Sequence, residues 1–198
     1  RLLREKGLEV VAGVLRGECE RQNEVFFHFM RTKLPFTVLK YAMTLDGKTA
    51  TVSGKSQWIT GEAARKRVHE DRGRYMAILT GVSTVLADNP QLTCRIPGGK
   101  NPIRVIADTK LRTPLSSTVV QTARETPTWI VTAVSDAGRK KAYEDAGCRV
   151  LSVPAKEGEL DLQAMMQRLG EEKVDSVMVE SGGTLAWSFL KAGLVNRV

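Results

Sequence analysis

The chain has 198 residues, with 30 Lys and Arg against 22 Asp and Glu, a formal net charge of +8. With 42% hydrophobic and 26% charged residues it has the balance of a globular protein rather than a disordered tail, and no apolar run approaches the ~20 residues that cross a bilayer. Three well-separated cysteines (Cys19, Cys94, Cys148), none in a C-x-x-C pair, exclude a disulfide scaffold and the usual zinc-finger spacings and suit a reducing cytoplasm.

The first ten residues, RLLREKGLEV, carry no apolar core of a secretory signal, and the start at Arg1 and the end at Val198 within an apolar pattern suggest a fragment. Leu8 to Ala12 is a short β-like run. Glu18 to Arg31 follows as an amphipathic helix with Val25, Phe26, Phe29 and Met30 along one face, closed by Leu34-Pro35 because a residue before proline leaves the helical region. Residues 1–35 are too few to bury a core of their own, so they are expected to be the tail of an upstream domain and a linker.

From Phe36 the pattern alternates. Phe36 to Met43 reads as a strand ended by Asp46-Gly47, and Thr60 as the N-cap of a helix from Gly61 to about Arg74. Met76 to Thr80, Ile103 to Asp108, Thr128 to Thr132, Arg149 to Val153 and Asp175 to Glu180 are short, mostly β-branched apolar runs. Helical stretches lie at about Asp136 to Ala146 and Leu160 to Glu171. Short Val- and Ile-rich strands separated by helices predict an α/β fold, a mainly parallel sheet with helices on both faces.

The positive charge is diffuse. Its densest stretch, Arg65 to Arg74, also holds Glu62, Glu70 and Asp71 close by, and no basic tail or aromatic-interleaved basic strand marks a nucleic-acid surface. Such an excess serves solubility or an anionic small molecule.

Three clusters carry candidate chemistry. The strand ending at Glu180 runs into Ser181-Gly182-Gly183-Thr184, where a helix begins. Glycines let a ligand approach the backbone and a helix N-terminus attracts phosphate, although a tight turn that binds nothing uses the same residues. Glu180 sits where α/β proteins bind ligands, at a strand's carboxyl end, and equally where it would cap the turn. Lys40, inside an apolar strand, either faces solvent or meets an anionic or polar partner in a cleft. Trp58 is either core or the flank of a cofactor. The run Thr80 to Arg95 offers hydroxyls that cap or bind phosphate, and in Arg95 a loop charge or a phosphate clamp. His28 and His69, the two histidines, fall on helices where surface or packing roles are expected, not metal ligation or a catalytic triad, and no metal site is expected.

Taken together, LKYAMTLDGKTA, SQWIT, ILTGVSTVLADNPQLTCR, RVIADT and VESGGTLAWSFLKAGLV resemble the reductase domain of bifunctional riboflavin biosynthesis proteins of the RibD/RibG type. The motifs keep the same order over residues 36–198, and residues 1–35 resemble the end of that family's deaminase domain, whose zinc-binding part is absent. The resemblance implies a dihydrofolate-reductase-like fold and NADPH-dependent reduction of 5-amino-6-(5-phosphoribosylamino)uracil. It also implies that the reductase domain continues past Val198. Ala42, Trp58, Thr84, Asp88, Thr109 and the turn Gly182, Gly183, Thr184, Leu185, Ala186, Trp187 and Ser188 would contact NADP. Ser56, Arg72, Leu92, Arg95 and Glu180 would contact the substrate, with Lys40 beside it. Lys40 and Glu180 are the expected catalytic pair, and Lys110 or Arg112 near Thr109 would favour the 2′-phosphate. A homodimer or higher homo-oligomer is expected, with neither nucleic acid nor membrane as a partner. The alternatives are a reductase of the related 2,5-diamino-6-ribosylaminopyrimidinone phosphate and a non-catalytic basic nucleotide- or nucleic-acid-binding module.

Overall fold

The computed structural model describes residues 1–54, 56 and 58–198. Six of the apolar runs are strands of one sheet: β1 (Phe36–Lys40), β2 (Ala77–Gly81), β3 (Ile103–Ala107), β4 (Thr128–Thr132), β5 (Arg149–Ser152) and β8 (Ser176–Glu180). Their order is β1-β8-β2-β3-β4-β5 and every pairing is parallel. A short antiparallel hairpin, β6 (Ala155–Lys156) with β7 (Glu159–Leu160), follows β5.

Parallel strands need cover on both sides, and the alternation of side chains supplies two apolar faces. Leu39, Leu79, Val105, Val131, Val177 and Val179 face helices α8 (Leu162–Glu171) and α9 (Gly183–Lys191), which contribute Met165, Met166, Leu169, Ala186 and Phe189. Ile78, Ile106 and Ile130 face α5 (Val82–Asp88), α6 (Thr118–Gln121) and α7 (Ala137–Asp145) through Val85, Val119, Val120 and Tyr143. Asp136 and Asp161 cap α7 and α8, accepting from the amides of Arg139 and Ala164. The α/β expectation holds, with helices on both faces.

The leading segment departs from expectation. Leu8 to Ala12 is coil, exposed except at the half-buried Val10 and without a ladder partner, and a strand has no stability without one. The helix expected over Glu18 to Arg31 is two helices, α2 (Arg16–Gln22) and α3 (Glu24–Thr32), after the short α1 (Leu2–Glu5). The break falls at Asn23, whose Nδ2 donates to the Cys19 carbonyl; asparagine competes in this way with the helical ladder. Phe26 and Met30 are exposed while Val25 and Phe29 are half-buried, so the apolar face of α3 is only partly covered. The segment is nevertheless anchored: a Cβ at Gly170 in α8 would stand 2.0 Å from the Lys33 carbonyl oxygen, an approach only glycine permits. Further on, α4 (Glu62–Arg74) is capped by Gly61 rather than Thr60, whose carbonyl instead accepts from Arg65 Nη1. The first strand ends at Lys40 rather than Met43.

One buried cation organises the amino-terminal edge of the sheet. Arg104, on β3, is 0% exposed and donates six hydrogen bonds of 2.8 to 3.2 Å, all to neutral oxygens: Thr128 Oγ1, Thr122 Oγ1 and the carbonyls of Gln91, Val119, Thr122 and Thr126. Burial pulls its guanidinium down to about 10, still charged at neutral pH. The planar fork ties the loop before β3 to α6 and to the turn before β4. Arg104→Met strands these buried acceptors and is expected to lose about 3 kcal/mol in urea unfolding; a loss below about 1 kcal/mol would show the network to be dispensable.

Candidate active site

Adjacent strands β8 and β2 send their following helices to opposite faces, α9 to one and α5 to the other. That reversal opens a crevice at the carboxyl ends of the strands, where open α/β sheets bind ligands. A cleft of about 870 Å³ occupies this position.

Strand geometry places its central charges. Lys40 and Glu180 are the last residues of β1 and β8, are direct partners in register, and point away from the face that carries Leu39 and Val179. Lys40 Nζ donates to Glu180 Oε1 at 3.3 Å. From α4, Arg72 Nε donates to Glu180 Oε2 at 3.1 Å and Nη2 to both carboxylate oxygens at 2.9 Å, while Nη1 reaches the Thr93 carbonyl at 3.1 Å. Side-chain exposure rises from 11% for Arg72 through 19% for Glu180 to 30% for Lys40, so the lysine is the member of the triad most open to the cleft. Burial pushes the Glu180 carboxyl upward, but the fields of Arg72 and Lys40 and their hydrogen bonds outweigh it, and the group lies below its ordinary 4.5. The triad therefore holds one net positive charge.

Around it, Ala42, Ser56, Trp58, Thr84, Asp88, Arg95, Gly182, Gly183, Ala186 and Trp187 line the cleft with Lys40, Arg72 and Glu180. Trp58 is 72% exposed with the Arg65 guanidinium 4.5 Å over its ring, so it is a cleft wall and not core. Gln57 of the SQWIT motif lies outside the described residues.

Other expected contacts are not on the wall. On α9 the lining residues recur as Gly182, Gly183, Ala186, Trp187 and Leu190, one helical stripe, which leaves Thr184, Leu185 and Ser188 off it. Leu185 packs against the core and Ser188 Oγ donates to the Thr184 carbonyl. Leu92 is buried in the α5–α7 layer with a left-handed φ of 53°, so its side chain packs in the core behind the loop that carries Arg95. Thr109 stands apart from the cleft, its hydroxyl donating to Glu159 Oε2 at 3.2 Å on the β6–β7 hairpin. Lys110 and Arg112 beside it are exposed.

Two basic wall residues escaped the sequence argument. His69, expected to serve packing or the surface, lines the cleft, as does Arg65. Arg65, His69 and Arg72 are spaced i, i+4 and i+7, so recognising Arg72 as a site residue already implied its two neighbours on the same face. Among the described residues the wall holds Lys40, Arg65, Arg72, Arg95 and His69 against the carboxylates Asp88 and Glu180, a lining suited to anions. No group of three His, Cys, Asp or Glu among the described residues is placed to hold a metal ion. No helix among them is long and apolar enough to cross a membrane.

The six-stranded parallel sheet with helices on both faces, and a crevice at the carboxyl ends of its strands, is a dihydrofolate-reductase-like α/β domain. The chain belongs to the family described as the RibD C-terminal domain, whose model matches residues 35–198. It is 49% identical over 99% of its length to the riboflavin biosynthesis protein RibD of Actinobacillus pleuropneumoniae, covering 52% of that protein. It is 40% identical over 83% of its length to the 2,5-diamino-6-ribosylamino-4(3H)-pyrimidinone 5′-phosphate reductase of Methanothermobacter thermautotrophicus, covering 75% of that protein. Among solved structures, the diaminohydroxyphosphoribosylaminopyrimidine deaminase/5-amino-6-(5-phosphoribosylamino)uracil reductase of Thermotoga maritima superposes with a TM-score of 0.78 at 36% identity, over 96% of this chain and 51% of that one. The chain thus spans about half the length of the RibD proteins it matches. Reductases of this family draw on a nicotinamide cofactor. The cleft fits one: at Gly182 and Gly183 open space stands where side chains would be, so a pyrophosphate can reach the free amides at the start of α9.

Arg72 is the stronger of the two cations that hold the Glu180 carboxyl down against its burial, so Arg72→Leu is expected to raise the Glu180 pKa. In the native protein Glu180 contributes stability above its ordinary 4.5 and loses it as pH falls through the depressed folded value; the variant keeps less of that contribution. Carboxyl ¹³C NMR titration checks this, and a Glu180 pKa that does not rise in the variant would contradict the electrostatic account.

Proposed function

We propose that the chain reduces 5-amino-6-(5-phosphoribosylamino)uracil to its ribitylamino product, with NADPH as reductant. What supports this most is the Lys40–Glu180–Arg72 constellation at the foot of a basic-walled crevice, in a domain whose relatives carry names from this chemistry. NADPH, when bound, would supply hydride for the sugar C1′ of the ring-opened imine, with a proton from solvent completing the amine, so the protein's main task is to hold donor and acceptor together in a water-poor cleft.

The α9 amides and the Gly182-Gly183 turn hold the cofactor pyrophosphate, and Trp58, Thr84 and Asp88 line the same cleft around it. Thr109, with Lys110 and Arg112, stands for the 2′-phosphate. Arg95 and Ser56 take the substrate's phosphate. With Arg72 committed to Glu180, the triad's net positive charge suits an oxygen-bearing sugar chain, and Lys40 Nζ donates a hydrogen bond to the sugar oxygen released by ring opening. Glu180 orients Lys40, and Arg72 orients Glu180. Leu92, Thr184, Leu185 and Ser188 support the site from behind its wall. Residues 1–35 are the end of a neighbouring deaminase domain, and residues 36–198 the reductase. A cytoplasmic, homo-oligomeric enzyme goes with this function, and the three cysteines are free thiols.

The Methanothermobacter relative, with its different name and 40% identity, makes 2,5-diamino-6-ribosylaminopyrimidinone phosphate the second substrate to assay. NADPH oxidation followed by absorbance is expected with the uracil compound and to be slower with the pyrimidinone; the reverse order would select the second substrate. Lys40→Ala and Glu180→Gln are each expected to lower kcat by about 100-fold or more, with a smaller effect on the KM for NADPH. Near-normal turnover in both would remove the proposed roles.

A further inference from the structure

The segment after β3 is held from behind through its own backbone. The Thr109 carbonyl accepts from Thr132 Oγ1 and from the Ala133 amide, both at 3.2 Å. Arg139 Nη2 donates to the Lys110 carbonyl at 2.7 Å and to the Leu111 carbonyl at 3.1 Å, and the Tyr143 hydroxyl to the Thr113 carbonyl at 2.6 Å. Asp108 Oδ2 accepts from the Thr113 amide and hydroxyl, each at 2.7 Å. Leu111, at a left-handed φ of 50°, is buried in the core. What remains outside is one edge, made of the Thr109 hydroxyl and the exposed side chains of Lys110 and Arg112. An anion already stands on it. Thr109 Oγ1 donates to Glu159 Oε2 at 3.2 Å, and among the described residues no Lys, Arg or His pairs with that carboxylate. Glu159 belongs to the β6–β7 hairpin, where the next residue, Leu160, is buried in the core and the Asp161 amide donates to the Pro154 carbonyl. The backbone is therefore pinned beside Thr109, while the exposed Glu159 side chain can turn away by rotation alone.

We propose that Glu159 is a specificity-determining residue for the coenzyme, its carboxylate standing where the 2′-phosphate of NADPH must go. This rests on the function proposed above, which lays the coenzyme from the α9 amides toward Thr109. The carboxyl ends of β8, β2 and β3 are neighbours, so the two places are two strand spacings apart, about 10 Å, within the reach of a dinucleotide. The bare ribose of NADH offers Glu159 a 2′-hydroxyl donor, the use that α/β coenzyme sites make of a carboxylate. A 2′-phosphate brings acceptors and negative charge instead. It takes the Thr109 hydroxyl only after Glu159 has turned away, and the nearby carboxylate offsets part of its attraction to Lys110 and Arg112. Glu159 thus narrows the preference for NADPH over NADH that the two cations alone would set.

The test is calorimetric titration of the full chain with NADP⁺ and with NAD⁺, which differ only in the 2′-phosphate, with no reducible substrate present. Glu159→Gln keeps an acceptor for the Thr109 hydroxyl and removes the charge. It is expected to tighten NADP⁺ binding about five- to tenfold and to leave NAD⁺ binding within about twofold, the gain shrinking at high salt. Glu157→Gln, on the exposed turn of the same hairpin, is expected to change neither. NADP⁺ binding unmoved by Glu159→Gln, NAD⁺ binding tightened to the same degree, or an equal effect of Glu157→Gln would overturn the proposal. No turnover takes part, so the two accounts fail separately. A chain that binds NADP⁺ without regard to Glu159 loses the selector and keeps its coenzyme site, and one that binds neither coenzyme loses both. A chain whose NADP⁺ affinity responds to Glu159 but which reduces no ribosylamine phosphate keeps the selector and loses the reductase function.

Discussion

A buried carboxylate must have compensating partners or it does not stay ionised, and Glu180 meets this condition by joining three parts of the fold. The parallel register of β1 and β8 sets Lys40 directly across from it. The docking of α4 brings Arg72 onto both of its oxygens, and the remaining arm of that guanidinium reaches Thr93, fixing the segment that carries Cys94 and Arg95. Strand pairing, helix placement and loop path thus converge on one group, and the basic wall of the cleft follows from how they satisfy it.

Topology does the rest. A parallel sheet whose order reverses between β8 and β2 leaves a crevice without any special loop to create it. Helix α9 starts on its rim with two glycines and presents a stripe from Gly182 to Leu190, while α4 presents Arg65, His69 and Arg72 from the other side. Among the described residues this concave site is lined by four cationic side chains and a histidine against two carboxylates, a wall suited to anionic small molecules.

The strands were legible because their apolar, β-branched runs leave little choice: Thr128–Thr132 matches its expected bounds and the other strands of the sheet start or end within a few residues of theirs. Lys40 and Glu180 stood out because each is a charge closing an apolar strand. Elements held by tertiary partners were hidden. Asn23 splits an apparently continuous amphipathic helix, and Leu8 to Ala12 has strand residues but no strand beside it. The short α6 and the β6–β7 hairpin carry too few residues to produce a period. Helix α4 is polar on every side, so no apolar stripe announced which of its charges face inward or that His69 lines the cleft. Arg104, a lone arginine in an apolar strand, gave no hint of its six neutral acceptors.

The central claim is that the cleft brings a nicotinamide against the sugar C1′ of a ribosylaminopyrimidine phosphate. Turnover with NADPH carrying deuterium at C4 of the nicotinamide, on the transferred face, tests it most directly. Mass spectrometry and NMR of the product are expected to show one deuterium, located at C1′ of the ribityl chain. A reduced product with deuterium elsewhere or with none would contradict the account.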